Sequence, residues 1–235
     1  MSTFVRPLPV ARGLFVTGTD TGVGKTYVSC LLAEVLKRRG LKVAVMKPVA
    51  AGVEADGMNG DVRLLMASSN VPAPPSIVNP YCFAPAIAPH LAARQAGISM
   101  RLDIIERAYA HLAERADVVL VEGAGGFLVP FNAECGMDAI PRRLRLPVAM
   151  VVGLRLGCLN HAQLTAEAVT ARGLELAGWF ANRVDPDMKM SEENLASLRS
   201  ILRSPCLGEI PWEGSSTRGL ALDESRIFKA IGLES

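Results

Sequence analysis

The chain has 235 residues, half of them hydrophobic, with 25 basic against 23 acidic side chains and a formal net charge of +2. That length and apolar content suit one sizeable buried core, and the near balance of charge offers neither a nucleic-acid surface nor a polybasic membrane patch. The five cysteines (30, 82, 135, 158 and 206) are odd in number and lack any Cys-x-x-Cys pair, which excludes a disulfide framework or a zinc site and fits a reducing compartment.

The opening MSTFVRPLPVAR is too short and too interrupted for a signal peptide, so residues 1–12 are expected to form a loose arm before a domain over 13–235. Strand one, Leu14 to Thr17, runs into the glycine-rich turn GTDTGVGKT, and a helix with Val28, Leu31, Leu32, Val35 and Leu36 on one side follows at once. Lys37, Arg38 and Arg39 suit the end of that helix and Gly40 its cap. Lys42 to Met46 reads as a buried strand, stopped at Lys47-Pro48 because proline cannot continue a central strand. From Ala50 to Pro89 the chain is rich in glycine and proline, with one short helix after Gly60; such a segment usually covers a site.

Ser99 is expected to cap a helix from about Met100 to Arg115, with Leu102, Ile105, Ala108 and Leu112 facing inward. VVLVEGAGG then reads as an apolar strand ending at Glu122, and Pro147 to Gly153 as another. The longest apolar stretch, Pro147 to Leu159, carries Arg155 and falls short of the roughly 20 residues of a membrane span, so a cytoplasmic protein without a membrane partner is expected. Gly157 to Asn160 is expected as a turn before a helix, followed by a strand (Leu174–Asn182), a helix (Ser191–Arg203) and a short strand (Cys206–Ile210). Alternating apolar strands and amphipathic helices imply an α/β fold, a mostly parallel sheet covered on both faces, with ligands bound outside the carboxyl ends of its strands.

Strand, glycine turn, Gly24-Lys25-Thr26 and helix in that order form a phosphate-binding arrangement: loop N–H groups, the helix dipole and the lysine converge on one anion. Five residues separate Gly18 from Gly24, one more than the usual pattern. Lys25 at a helix start is disfavoured unless an anion is present, and Thr26 can reach a Mg²⁺ ion bridging phosphates. Glu122 closes an apolar strand where an acidic residue near the metal is expected. Lys47, at a strand end beside the loop, can polarise a phosphate or a developing anion. Capping suffices to explain Asp61. His90, His111 and His161 show no catalytic spacing, and Trp179 and Trp212 read as core or pocket wall.

Seven segments in order, GTDTGVGKT (18–26), KPVAAG (47–52), NPYCFAPAIAPH (79–90), VEGAGG (121–126), VVGLRLGCLNHAQLT (151–165), LAGWFANRVDP (176–186) and LGEIPW (207–212), together resemble the dethiobiotin synthetases. The resemblance implies a single-domain P-loop NTPase-like α/β fold and accounts for the five-residue spacing. It implies ATP phosphates on Gly22, Val23, Gly24, Lys25, Thr26 and Tyr27, with Gly123, Ala124 and Gly125 nearby, and the base at Asn182, Arg183, Ile210, Pro211 and Trp212. Mg²⁺ falls to Thr26, Asp61 and Glu122. Lys47 is implied as catalytic, with Lys25 and Thr21 beside it. Diaminopelargonic acid is implied next to Thr21, Lys47 and Ala51, its remote carboxylate taken by Gly157, Cys158, Leu159 and Asn160 of the partner in a homodimer. An amine takes up CO₂, the carbamate is phosphorylated by ATP, and the second amine closes a ureido ring. Members often carry a hydroxyl residue at the position of Ala51, a departure that removes one possible hydrogen bond to substrate. The alternative is a MinD- or ParA-like ATPase switch, though the extra early lysine usual in such loops is replaced here by Thr19, Asp20 and Thr21.

Overall fold

The computed structural model describes residues 12–212 and 220–233. Strand β1 (Arg12–Gly18) leads to helix α1 (Lys25–Arg38) and strand β2 (Val43–Met46). Next come β3 (Val49–Ala51), α2 (Gly60–Ser68), α3 (Pro75–Val78), β4 (Tyr81–Phe83) and α4 (Pro89–Gln95). Helix α5 (Leu102–Ala113) precedes β5 (Val118–Gly126), and α6 (Ala139–Leu144) precedes β6 (Val148–Leu154). Then follow α7 (Cys158–Ala171), β7 (Leu176–Arg183), α8 (Ser191–Ile201), β8 (Cys206–Ile210), β9 (Ala221–Leu222) and α9 (Glu224–Ala230).

The main sheet has the order β2-β5-β1-β6-β7-β8-β9, parallel throughout except for β9, which runs antiparallel to β8. Alternation along β1 shows why its sequence is an unbroken apolar run. Leu14 and Val16 belong to a cluster with Val28, Leu32 and Leu36 of α1. Phe15 faces the opposite side, in a cluster with Met46, Tyr109, Leu112 and Val121. Both faces are covered, as parallel sheets require, and each fully buried Leu or Phe contributes about 1.5–3 kcal/mol. No helix among the described residues is long and apolar enough to cross a membrane.

The edge strand β2 is closed by the segment after α2. Asn70 Oδ1 accepts from Val43 N at 2.6 Å, Asn70 Nδ2 donates to Leu41 O at 2.9 Å, and Ser69 Oγ donates to Val43 O at 2.9 Å. Lys47 N donates to Val78 O at 2.8 Å, so the same edge is engaged again at the strand's end.

Several expected boundaries move. Arg12 is not part of an arm but the first residue of β1, in register with Val118; the rest of that arm lies outside the described residues. Ser99 does not cap α5. Tyr81 Oη accepts from Arg101 N at 2.9 Å, Asn132 Nδ2 donates to Met100 O at 3.1 Å, and the Met100 side chain is buried. These tertiary contacts hold residues 100–101 out of the helix, which starts at Leu102. Residues 50–89 are more ordered than their composition suggests: β3 pairs with β4 in a separate two-stranded sheet, and α3 and α4 each start on a proline. Beyond Gly157 the expected turn is already helix, since Cys158, Leu159 and Asn160 form the first turn of α7. Strand β5 also continues past Glu122 to Gly126.

Candidate active site

The turn after β1 wraps the start of α1 so that the helix ends in open N–H groups. Its N-cap is Gly24, at φ 85° and ψ 29°, with no side-chain cap and no acidic residue in the first turn. Only glycine fits there, because a Cβ would lie 2.1 Å from Asn182 Nδ2 in addition to the left-handed backbone. The Asn182 amide donates to Val23 O at 2.9 Å, tying β7 to the loop. Uncapped donors and the positive helix end together leave a favourable place for an anion.

Lys25 is buried, and its ammonium donates to the Asp20 carbonyl at 2.8 Å. Burial, with the neighbouring Lys47 charge, lowers its pKa to about 8 against the pull of Glu122, Asp61 and Asp20. A lysine left short of countercharge at a helix N-terminus is what an anionic phosphate would complete.

Lys47 lies at the carboxyl end of β2 and is 4% exposed. Its Nζ donates to Glu122 Oε1 at 2.5 Å and to Asp61 Oδ2 at 2.7 Å. Burial works against the ammonium, but the two carboxylates and their hydrogen bonds outweigh it and raise the pKa above the ordinary lysine value. Glu122 Oε1 also accepts from Thr26 Oγ1 at 2.8 Å, while Glu122 Oε2 is buried without a partner. Asp61 is not the helix cap. That role belongs to Asn59, whose side chain accepts from Val62 N at 3.3 Å and whose Nδ2 donates to Gly52 O at 2.6 Å. Partial burial opposes the Asp61 carboxylate, and the Lys47 charge holds its pKa below the usual range.

Thr21, Lys25, Thr26, Lys47, Asp61 and Glu122 line one cavity of about 690 Å³. Gly22, Gly24, Ala51, Ala124 and Gly125 line it too, as do Ala86 to Pro89. The last four close the glycine- and proline-rich segment that was expected to cover a site. Gly123 packs behind the strand, where a Cβ would meet the Phe15 ring at 2.9 Å. Val23 is buried and Tyr27 exposed, neither of them lining the cavity.

The residues expected at the base gather at the carboxyl ends of β7 and β8, where Asn182 is in register with Ile210 and the chain continues into Pro211 and an exposed Trp212. Arg183 donates to Ser191 Oγ at 2.6 Å and Glu192 Oε1 at 2.5 Å, tying the end of β7 to the start of α8. Gly157, Cys158, Leu159 and Asn160 stand apart from the cavity, with Gly157 at φ 95° opening α7.

Among the described residues no three His, Cys, Asp or Glu side chains are grouped to hold a metal. Two carboxylates and a hydroxyl are nevertheless a set of hard oxygen donors. Mg²⁺ suits such a set when phosphates and water complete its shell, and the unpartnered Glu122 Oε2 leaves an acceptor for it. The three histidines take no part in this cluster.

A family model described as an AAA domain matches residues 12–219. An ATP-dependent dethiobiotin synthetase of Nitrosospira multiformis is 51% identical over 204 residues, covering 87% of this chain and 90% of that protein. Those of Pseudomonas aeruginosa and Chromohalobacter salexigens are 50% and 46% identical and cover 84% and 86% of the chain, with 88% and 91% of the relatives. This chain belongs to the dethiobiotin synthetase family. The MinC:MinD complex of Aquifex aeolicus matches with a TM-score of 0.56 at 14% identity, over 95% of both chains. That likeness shows a shared α/β fold and nothing of MinD's role.

Proposed function

We propose that the protein is an ATP-dependent dethiobiotin synthetase. It converts 7,8-diaminononanoate and CO₂ to dethiobiotin with release of ADP and phosphate. The observation that carries this reading is Lys47: a buried ammonium shares one cavity with the phosphate loop and with Glu122 and Asp61. The extra lysine of a MinD- or ParA-like switch lies early in the phosphate loop, whereas Lys47 comes from the end of another strand and borders a substrate-sized volume.

In this reading the N–H groups at Gly22 to Tyr27 and the Lys25 ammonium bind the nucleotide phosphates. Asn182, Arg183 and Ile210 to Trp212 form the base crevice. Thr26, Asp61 and Glu122 hold Mg²⁺, which when bound supplies charge neutralisation at the transferring phosphoryl group. Thr21 and Lys47 orient the diamine, and Lys47 stabilises charge on the carbamate and the phosphoryl oxygens as transfer proceeds. Phosphoryl transfer of this kind depends on positioning and electrostatics, which agrees with a site free of histidine.

The first turn of α7, from Gly157 to Asn160, offers a helix N-terminus to the remote carboxylate. Because it stands apart from the cavity, it serves the neighbouring subunit of a homodimer in this reading.

The test is ADP release with and without diaminononanoate and bicarbonate, and mass analysis of the product. Dethiobiotin formed in step with ADP is expected. ATP hydrolysis indifferent to the diamine would sink the ligase reading in favour of a switch.

A further inference from the structure

Beyond the groups that face the cavity, one ion pair joins two loops that the sheet itself leaves unconnected. The ladder between β1 and β6 ends at Gly18 and Val151, with Thr19 N and Thr19 Oγ1 also donating to Val151 O at 3.0 and 3.5 Å. Past that point no strand pairing joins the phosphate loop to the β6–α7 loop. Arg155 Nη2 crosses the gap to Asp20 Oδ2.

We infer that Arg155 is a positioning residue: through Asp20 it holds the front of the phosphate loop in register with the start of α7. Asp20 has no free polar side-chain atom. Its Oδ1 accepts from Thr21 N at 2.7 Å, Oδ2 takes Arg155, and its carbonyl accepts from Lys25 Nζ at 2.8 Å. Two residues that line the cavity, Thr21 and Lys25, therefore take their place from Asp20. Arg155 acts in both directions, because its own carbonyl accepts from Cys158 N at 3.0 Å at the first residue of α7. The pair thus connects the nucleotide-binding end with the turn to which the proposed function assigns the substrate's remote carboxylate, and in that second half it rests on that proposal.

Exposure argues that this is placement and not stability. The two side chains are 39% and 46% exposed, and exposed pairs add little to folding. The chain also contains the contrasting case: Asp138 has a side chain 7% exposed and is clamped by Arg142 and Arg172, joining α6 to α7.

The experiment is a double-mutant cycle of Arg155→Met and Asp20→Asn, the latter chosen because its amide oxygen can still accept from Thr21 N. Equilibrium binding of a non-hydrolysable ATP analogue and the KM values for ATP and diaminononanoate are the readouts, with Tm as a control. Arg155→Met should weaken analogue binding and raise both KM values by about tenfold, below the hundredfold that an ångström of misplacement can cost. The kcat and Tm should change little. Arg155→Lys should restore most of the loss, and the double variant should be no worse than the worse single one. Strictly additive losses, or a lowered Tm with unchanged binding and KM values, would overturn the inference. If the wild-type protein forms no dethiobiotin, the proposed function fails, and the analogue-binding arm still decides whether Arg155 and Asp20 act as a unit.

Discussion

Replacing Lys47 removes the cation from between two carboxylates at the cavity wall. Glu122, 1% exposed, would keep only the Thr26 hydroxyl at Oε1 and nothing at Oε2. Truncating one partner of a buried pair costs about 3–5 kcal/mol. Lys47→Met should therefore lower the unfolding free energy by up to that amount in urea titrations, and reduce kcat by orders of magnitude with ATP still bound. An unchanged kcat would show its role misassigned. Ala51 gives the opposite kind of test, since it lines the cavity without a polar atom. Ala51→Ser should lower the KM for diaminononanoate roughly fivefold, the worth of about 1 kcal/mol for one added hydrogen bond. The residues alone left Lys47 evenly balanced against a solvent lysine, and its role came from the family resemblance, whereas the strand-end positions of Lys47 and Glu122 were legible from the apolar runs they close. Asp61 was not. It stands two residues after Asn59, both types cap helices, and only the fold reveals which one turns toward Lys47.

At the scale of elements, α1 starts without a capping side chain or an acidic first turn, so its N-terminus is stabilised by what it binds. Gly24→Ala should abolish binding of a fluorescent ATP analogue, because the added methyl meets Asn182 as well as an unfavourable φ. Circular dichroism should still report the folded α/β spectrum. The long strands were legible from sequence because burial on both faces leaves a continuous apolar run, and α1 because its stripe has helical spacing. The three-residue strands β3 and β4 were not: they pair Val49 with Tyr81, a contact that no local pattern announces. Helix α5 shows the reverse error. Ser99 is a good cap by residue type, but Tyr81 and Asn132 fix the two residues after it in place. Arg155 attracted notice only as an interruption of an apolar stretch, and its partner Asp20 lies 135 positions away.

At the scale of the whole molecule, β5 inserts between β2 and β1 in the sheet although it lies far from both in the chain, and so brings Glu122 between Lys47, just past β2, and Lys25, at the start of α1. The parallel arrangement was legible in the alternation of elements; which strand lies beside which was not. Assembly has its own test. Leu156, 94% exposed, adjoins the Gly157 turn that a neighbouring subunit is proposed to use. Leu156→Asp should shift the protein from dimer to monomer in sedimentation velocity and raise the KM for diaminononanoate more than that for ATP. A wild-type monomer with full activity would contradict the shared turn. The edge strand β2 carries a different consequence. Its residues VAVM are wholly buried and apolar, a segment that would otherwise offer a template for fibre growth. Ser69 and Asn70 occupy the backbone groups of Val43 at one end of that edge. Asn70→Ala should therefore speed thioflavin-positive aggregation at mild heat with little change in kcat. Resistance to polymerisation thus depends in part on two polar side chains in a loop that takes no part in catalysis.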